Sequence, residues 1–176
     1  MNKTFINVDW YHGLVANICR DITNSGWRPD YIVGITRGGL YPAVLISHYF
    51  NIRMHALGVS LRDSQDCESN LWMAEDAFGY DFTLETEESN QLMKKNILIV
   101  DDINDSGATL NWIVEDWQKN CYPHGNWQDI WNQNVRFAVV VDNTKSNAKV
   151  KIDYCGLEVA KEDDDWIVFP YENWWE

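Results

Sequence analysis

The sequence predicts an α/β fold, a parallel sheet flanked by helices. Short continuous apolar runs recur at residues 31–35, 97–100 and 135–141, as strands buried on both faces do. Segments between them carry apolar residues three and four apart, the spacing of a helix face. Strands alternating with helices in this way indicate a parallel sheet. At 176 residues the chain has the length of one domain able to bury its own core.

Residues 10–25 place Leu14, Val15, Ile18 and Ile22 on one helical face. Gly26 ends that helix and Pro29 prevents its return. Residues 31–35 form a buried strand, and Thr36-Arg37-Gly38-Gly39 is a tight loop. Residues 40–50 read as a helix with Pro42 in its first turn, and 54–60 as a second strand. From 61 to 95 the chain turns polar and acidic, with Glu75, Asp76, Asp81, Glu85, Glu87 and Glu88 among scattered aromatics. Most of this segment reads as a long loop or hairpin excursion, a lid. Residues 96–100 form the clearest strand. It runs into Asp101-Asp102-Ile103-Asn104-Asp105-Ser106-Gly107-Ala108-Thr109. The helix that follows aligns Leu110, Ile113, Val114 and Trp117. Residues 121–134 are an irregular insert with Pro123, Gly125, Trp127 and Trp131. Strands at 135–141 and 152–159 follow, and the tail from 161 forms a small hood.

Composition narrows the function. The net charge is −13, and no basic patch of the kind a nucleic-acid binder carries is present. A polyanionic ligand must then be held locally, by backbone N–H groups, a few basic side chains or a metal ion. The first residues lack a basic region followed by a long apolar run, and no apolar stretch reaches membrane-spanning length, so a soluble cytoplasmic protein is expected. Cys19, Cys67, Cys121 and Cys155 have no zinc-ligand or redox spacing. Cys19 and Cys155 are expected in apolar surroundings. Ten tryptophans are many for this length, and Trp166, Trp174 and Trp175 fall where a small domain lacks core to cover them.

The chemistry concentrates between Asp101 and Thr109. A buried strand delivers two adjacent carboxylates to its C-terminal end, where ligands bind in such sheets. Ser106, Gly107, Ala108 and Thr109 are small and open a helix, whose N-terminus attracts anions. Carboxylates beside a phosphate site are tolerable when they face something else, such as a sugar diol, with Mg²⁺ neutralising charge nearby. The ligand implied has a phosphate, a diol and a divalent ion, as a sugar phosphate bearing a pyrophosphate does. Asp101 and Asp102 are the candidates for holding that ion, directly or indirectly. A lone Asp-Asp before a helix capped by Asp105 or Ser106 would be merely solvated; the whole run is more specific than that.

Residues 97–109 resemble the phosphoribosyl-pyrophosphate signature of the type I phosphoribosyltransferases, closest in motifs to the bacterial xanthine-guanine and hypoxanthine enzymes. The resemblance implies that Asp101 and Asp102 meet the ribose hydroxyls and that Asp105, Ser106, Gly107, Ala108 and Thr109 wrap the 5′-phosphate. It implies Asp105 as general acid/base beside N7 of a purine. Asn104 stands where the family usually has an apolar residue. Thr36-Arg37-Gly38-Gly39 is similar to the pyrophosphate loop of the xanthine-guanine enzymes, which implies contacts from Arg37 and Gly38 and a non-proline cis peptide between them. Trp166-Ile167, then Pro170-Tyr171-Glu172, is similar to the segment that stacks on the base and reads its edge; a tail tryptophan packed on the core gives the same pattern. Val168 departs from an acid there. Lys145 falls in the region of a lysine that donates to the base 6-oxo group, and equally suits a solvated surface. Leu61 replaces a lid tyrosine, and Arg62 either reaches pyrophosphate or is a solvated loop arginine.

The resemblance implies Mg²⁺-dependent transfer of ribose 5-phosphate from phosphoribosyl pyrophosphate to a purine, in purine salvage, by a homo-oligomer. The alternatives are a regulatory protein binding phosphoribosyl pyrophosphate or a nucleotide on the same fold, and a transferase for a non-purine acceptor.

Overall fold

The computed structural model describes residues 2–61, 67–79, 93–162 and 164–175. The elements run β1 (Asn2–Phe5), α1 (Val8–Asn24), β2 (Tyr31–Ile35), α2 (Leu40–Phe50), β3 (Met54–Leu57), α3 (Leu71–Phe78), β4 (Ile97–Asn104), α4 (Ala108–Asn120), β5 (Val135–Asn143), β6 (Tyr154–Val159) and β7 (Asp165–Val168). Five strands form a parallel sheet in the order β3-β2-β4-β5-β6. The expected α/β architecture is therefore present.

Alternation along the strands explains why the apolar runs are continuous. Tyr31, Val33 and Ile35 join Ile97 and Ile99 in a core beneath α3 and α4. Ile32 joins Leu98 and Val100 in a second core beneath α1 and α2. Every position of β2 is buried, because both faces of the sheet are covered. Asn7 caps α1, its side chain accepting from the Trp10 N–H at 2.8 Å. Gly26, at φ +71°, turns the chain after that helix.

Two stretches differ from the sequence reading. Residues 71–78, expected within a loop, are the helix α3. Its Met73, Ala74 and Ala77 lie in the core. Asp76, grouped above with a solvated acidic segment, is buried and accepts from the Tyr31 hydroxyl at 3.1 Å and pairs with Lys95 at 3.2 Å. An eight-residue helix carrying two acids of its own, one of them buried, escapes detection in an acidic segment. The expected lid also covers residues 62–66 and 80–92, which lie outside the described residues, as does Arg62. The second difference is the 121–134 insert. It is irregular, but Trp127 and Ile130 are buried in the core, and Trp127 stacks on Trp131 at 5.3 Å. The insert thus adds Cys121, Trp127 and Ile130 to the core beneath α3 and α4, a placement that the sequence leaves open.

The remaining pair, β1 and β7, forms a separate two-stranded parallel sheet that aligns Lys3 with Trp166 and Thr4 with Ile167. The hood at the C-terminus is thus completed by the first residues of the chain, for which no strand was predicted. Trp174 and Trp175 are exposed. Cys19 is buried and Cys155 half-buried, and burial pushes both thiols up to about 11. Among the described residues no helix is long and apolar enough to cross a membrane.

The strand order locates the site. The chain goes from β2 outward to β3 and then returns to β4 on the other side of β2. The connections after β2 and β4 therefore part in opposite directions and leave a crevice at the C-terminal ends of these strands, where open α/β sheets bind ligands.

Candidate active site

Two turns floor this crevice. The first follows β2. Its cis peptide joins Thr36 to Arg37, one bond earlier than the Arg37–Gly38 bond expected from the sequence. Gly38 serves a different purpose. A Cβ there would lie 1.9 Å from Asp102 Oδ2, so only glycine lets this turn rest against the end of β4. A Cβ on Gly39 would meet the Val100 carbonyl at 2.4 Å.

The second turn follows β4, which runs four residues beyond the predicted apolar run. Asp101 and Asp102 thus lie on the strand itself. The Asp102 N–H donates to Asp101 Oδ1 at 2.9 Å, the Ile103 N–H to Asp102 Oδ1 at 2.7 Å, and the Tyr171 hydroxyl to Asp102 Oδ2 at 2.6 Å. Burial, reinforced by the Asp102 charge, holds the Asp101 carboxyl well above the usual carboxylate range. Burial raises Asp102 as well, while the Tyr171 hydrogen bond opposes the shift. Asn104, the departure from the family pattern, is buried and donates to Asp142 Oδ1 at 2.7 Å and Ser146 Oγ at 2.8 Å. It ties β4 to the turn after β5.

Gly107 begins α4 with φ +86°. A Cβ on it would approach the Ala148 nitrogen to 2.4 Å. The N-cap position is this glycine, which has no side chain to cap with, and the Ser106 hydroxyl oxygen accepts from the Ala108 N–H at 3.3 Å. The first-turn N–H groups of α4, with the hydroxyls of Ser106 and Thr109, are the donors a phosphate group needs.

The opposite wall is built from side chains. Asp105 accepts from Lys161 Nζ through both carboxylate oxygens, at 2.8 and 2.9 Å. The same ammonium lies 5.9 Å from the centre of the Trp166 ring. Asn143, buried at the end of β5, fixes both partners: its Nδ2 donates to the Asp105 carbonyl at 3.0 Å, and its Oδ1 accepts from the Lys161 N–H at 3.1 Å. Trp166 and Ile167 sit on β7, with the Trp166 ring partly exposed towards the crevice.

Together these walls enclose a cleft of about 950 Å³. The residues named from the sequence at the two phosphate turns line it, Arg37 and Gly38 on one side and Asp101, Asp102 and Asp105 through Thr109 on the other, with Trp166 and Ile167 above. Lys145 does not. Its ammonium pairs with Glu162, because the turn after β5 points it outward, and Lys161 lines the cleft instead. Sequence reasoning missed Lys161, Tyr171 and Asn143. Lys161 stands beside a run of acids that makes it look solvated, and Tyr171 was noted only as an aromatic. Asn143, a polar residue closing an apolar strand at its C-terminal end, was the one legible signal.

A metal ion would meet oxygen donors here. Among the described residues no three acidic, histidine or cysteine side chains converge into a cage. Asp101 and Asp102 form a pair, which suits a Mg²⁺ ion that keeps waters and brings ligands from a phosphorylated substrate.

Residues 9–173 match the family described as phosphoribosyl transferase domain. The chain is 22% identical to xanthine phosphoribosyltransferase 1 of Saccharomyces cerevisiae, over 97% of this chain and 90% of the relative. It is 28% identical to the xanthine-guanine phosphoribosyltransferase of Cereibacter sphaeroides, over 85% and 71% respectively. Among solved structures, the fold is similar to a purine phosphoribosyltransferase of Pyrococcus horikoshii, with a TM-score of 0.63 at 24% identity over 98% and 96% of the two chains. It is also similar to the xanthine-guanine-hypoxanthine phosphoribosyltransferase of Helicobacter pylori, with a TM-score of 0.66 at 18% identity over 98% and 95%.

Proposed function

The chain belongs to the phosphoribosyl transferase domain family, and from that premise we propose that it transfers ribose 5-phosphate from phosphoribosyl pyrophosphate to a purine base, as a step of purine salvage. The observation that carries this reading is the convergence on one cleft of a helix N-terminus opened by a glycine, a carboxylate pair and an aromatic wall with an Asp–Lys pair. Each suits one part of the substrates: the 5′-phosphate, the ribose diol and the base. The purine names of relatives at 22–28% identity point the same way.

In this reading the turn at Asp105–Thr109 holds the 5′-phosphate and Arg37 with the Gly38 turn holds the pyrophosphate. C1 of the ribose is thereby fixed between the leaving group and the base. The bond from C1 to a pyrophosphate oxygen breaks, and pyrophosphate leaves with the electron pair. A base nitrogen bonds to C1, and the base loses a proton to the Asp105 carboxylate. Mg²⁺, when bound, supplies positive charge that stabilises the departing pyrophosphate. Asp101 and Asp102 would hold it, directly or through water.

Asp105 beside Lys161 presents an acceptor next to a donor. A purine that carries an N–H next to a carbonyl complements that pair, which favours hypoxanthine, guanine or xanthine over adenine. Lys161 takes here the part that the sequence suggested for Lys145.

The test is pyrophosphate release from phosphoribosyl pyrophosphate and Mg²⁺ with guanine, hypoxanthine, xanthine, adenine, uracil or orotate. Release is expected with the 6-oxopurines, and Asp105→Asn is expected to lower it by about 10²- to 10⁴-fold. Retained binding of phosphoribosyl pyrophosphate with no release on any base would overturn the transferase reading in favour of a binding protein.

A further inference from the structure

We propose that Tyr171 is a positioning residue for the sugar half of the donor substrate: its hydroxyl aims Asp102, so the hood that holds the base also sets the ribose contacts. The inference rests on the donor reading above and assigns a part of the molecule that the reading leaves unused.

Asp102 is gripped at both oxygens. The Ile103 N–H takes Oδ1 at 2.7 Å and the Tyr171 hydroxyl takes Oδ2 at 2.6 Å. A hydrogen bond to a carboxylate at that length is charge-assisted and directional. A carboxylate offers about four lone-pair sites, so each oxygen keeps one for a diol. With both oxygens fixed, the plane of the carboxylate is set before any ligand arrives. Gly38 lies against Oδ2, where any side chain would collide with the carboxylate.

Tyr171 is itself immobilised. Its ring stacks on Phe169 at 5.7 Å with an interplanar angle of 8°, and meets Tyr11 at 6.0 Å and Tyr41 at 5.7 Å edge-on. Residues of α1, α2 and the hood thus hold one hydroxyl against one carboxylate. Trp166 lies five residues earlier on the same hood.

Tyr171→Phe removes one oxygen and leaves the ring packing. Calorimetric titration with phosphoribosyl pyrophosphate and Mg²⁺ is expected to show affinity about tenfold weaker, the loss of one hydrogen bond to a charged group. The KM for that substrate should rise in step, with the KM for the base within about twofold. Tyr41→Phe, in the same cluster but with its hydroxyl paired to His12 at 2.8 Å, should leave both unchanged. An unchanged donor affinity in Tyr171→Phe overturns the inference. So does a matched rise in both KM values, which would mean that the hood has merely loosened. A wild-type chain that does not bind phosphoribosyl pyrophosphate overturns the donor reading as well. Wild-type binding with no turnover leaves the calorimetric comparison to decide.

Discussion

The two walls of the cleft are made differently. The phosphate wall is backbone: two turns at strand ends, each dependent on a glycine that nothing larger can replace. The hood wall is side chain: Trp166 on β7 and Lys161 just before it line the cleft, Tyr171 after it reaches Asp102, and the partner strand β1 is exposed at all four positions. A ligand group held by consecutive backbone N–H groups leaves a contiguous trace in the sequence. A group held by side chains from separate segments does not. In the proposed reading a chain of net charge −13 accepts a polyanion through Arg37 and through aligned peptide dipoles, which do not depend on net charge.

Substitutions on each wall should separate the two. The largest effect is expected from Gly107→Val. A β-branched residue at φ +86° with its Cβ 2.4 Å from the Ala148 nitrogen must deform the turn. Binding of phosphoribosyl pyrophosphate should be lost in calorimetry, and stability should fall by about 1–3 kcal/mol in thermal melts. Retained donor binding would show that the phosphate wall does not depend on this backbone.

Trp166→Ala attacks the other wall. Loss of a stacking surface worth about 1–3 kcal/mol should raise the KM for the base about tenfold or more. Donor affinity should stay within about twofold, since Trp166 stands on β7 and not on either turn. An equal loss for both substrates would erase the distinction between the walls.

A smaller effect, of opposite sign for stability, is expected from Asp101→Asn. The Asp101 carboxyl is raised by burial and by Asp102. Between its unfolded and folded values the native state binds more protons than the unfolded chain, so wild-type stability falls as pH rises through that window. Asparagine removes this loss. The variant should be more stable than wild type at neutral pH by about 1 kcal/mol, read from melts, with the gap closing as the pH falls below the unfolded value of about 4. Donor affinity should fall at the same time. A variant less stable than wild type at neutral pH would mean that the hydrogen bond from the Asp102 N–H outweighs the buried charge.

The wall that these experiments treat as backbone is also the one legible in the sequence. The run from Ile97 to Thr109 names a strand, its acids and a phosphate turn in one stretch, because strand, turn and helix N-terminus are consecutive in the chain. Arg37 and Gly38 are legible for the same reason. Periodicity sufficed for α1 and α4, each of which lays an apolar stripe on the sheet, and α2 was legible from Pro42 in its first turn. It failed for α3, whose eight residues sit among acids and whose buried Asp76 is satisfied only by the distant Tyr31 and Lys95.

What the sequence determined by itself was the parallel sheet, the crevice at its strand ends and the residues of the phosphate wall, all of them properties of short-range pattern. Only the tertiary structure decided that Lys161 and not Lys145 faces Asp105, that the first strand completes the hood, and that Tyr171 reaches Asp102. Those choices depend on how segments 56, 163 and 69 residues apart are brought together. Nothing local encodes such pairings. They follow from the packing of the whole core, which fixes where each strand ends and so where each side chain beyond it can reach.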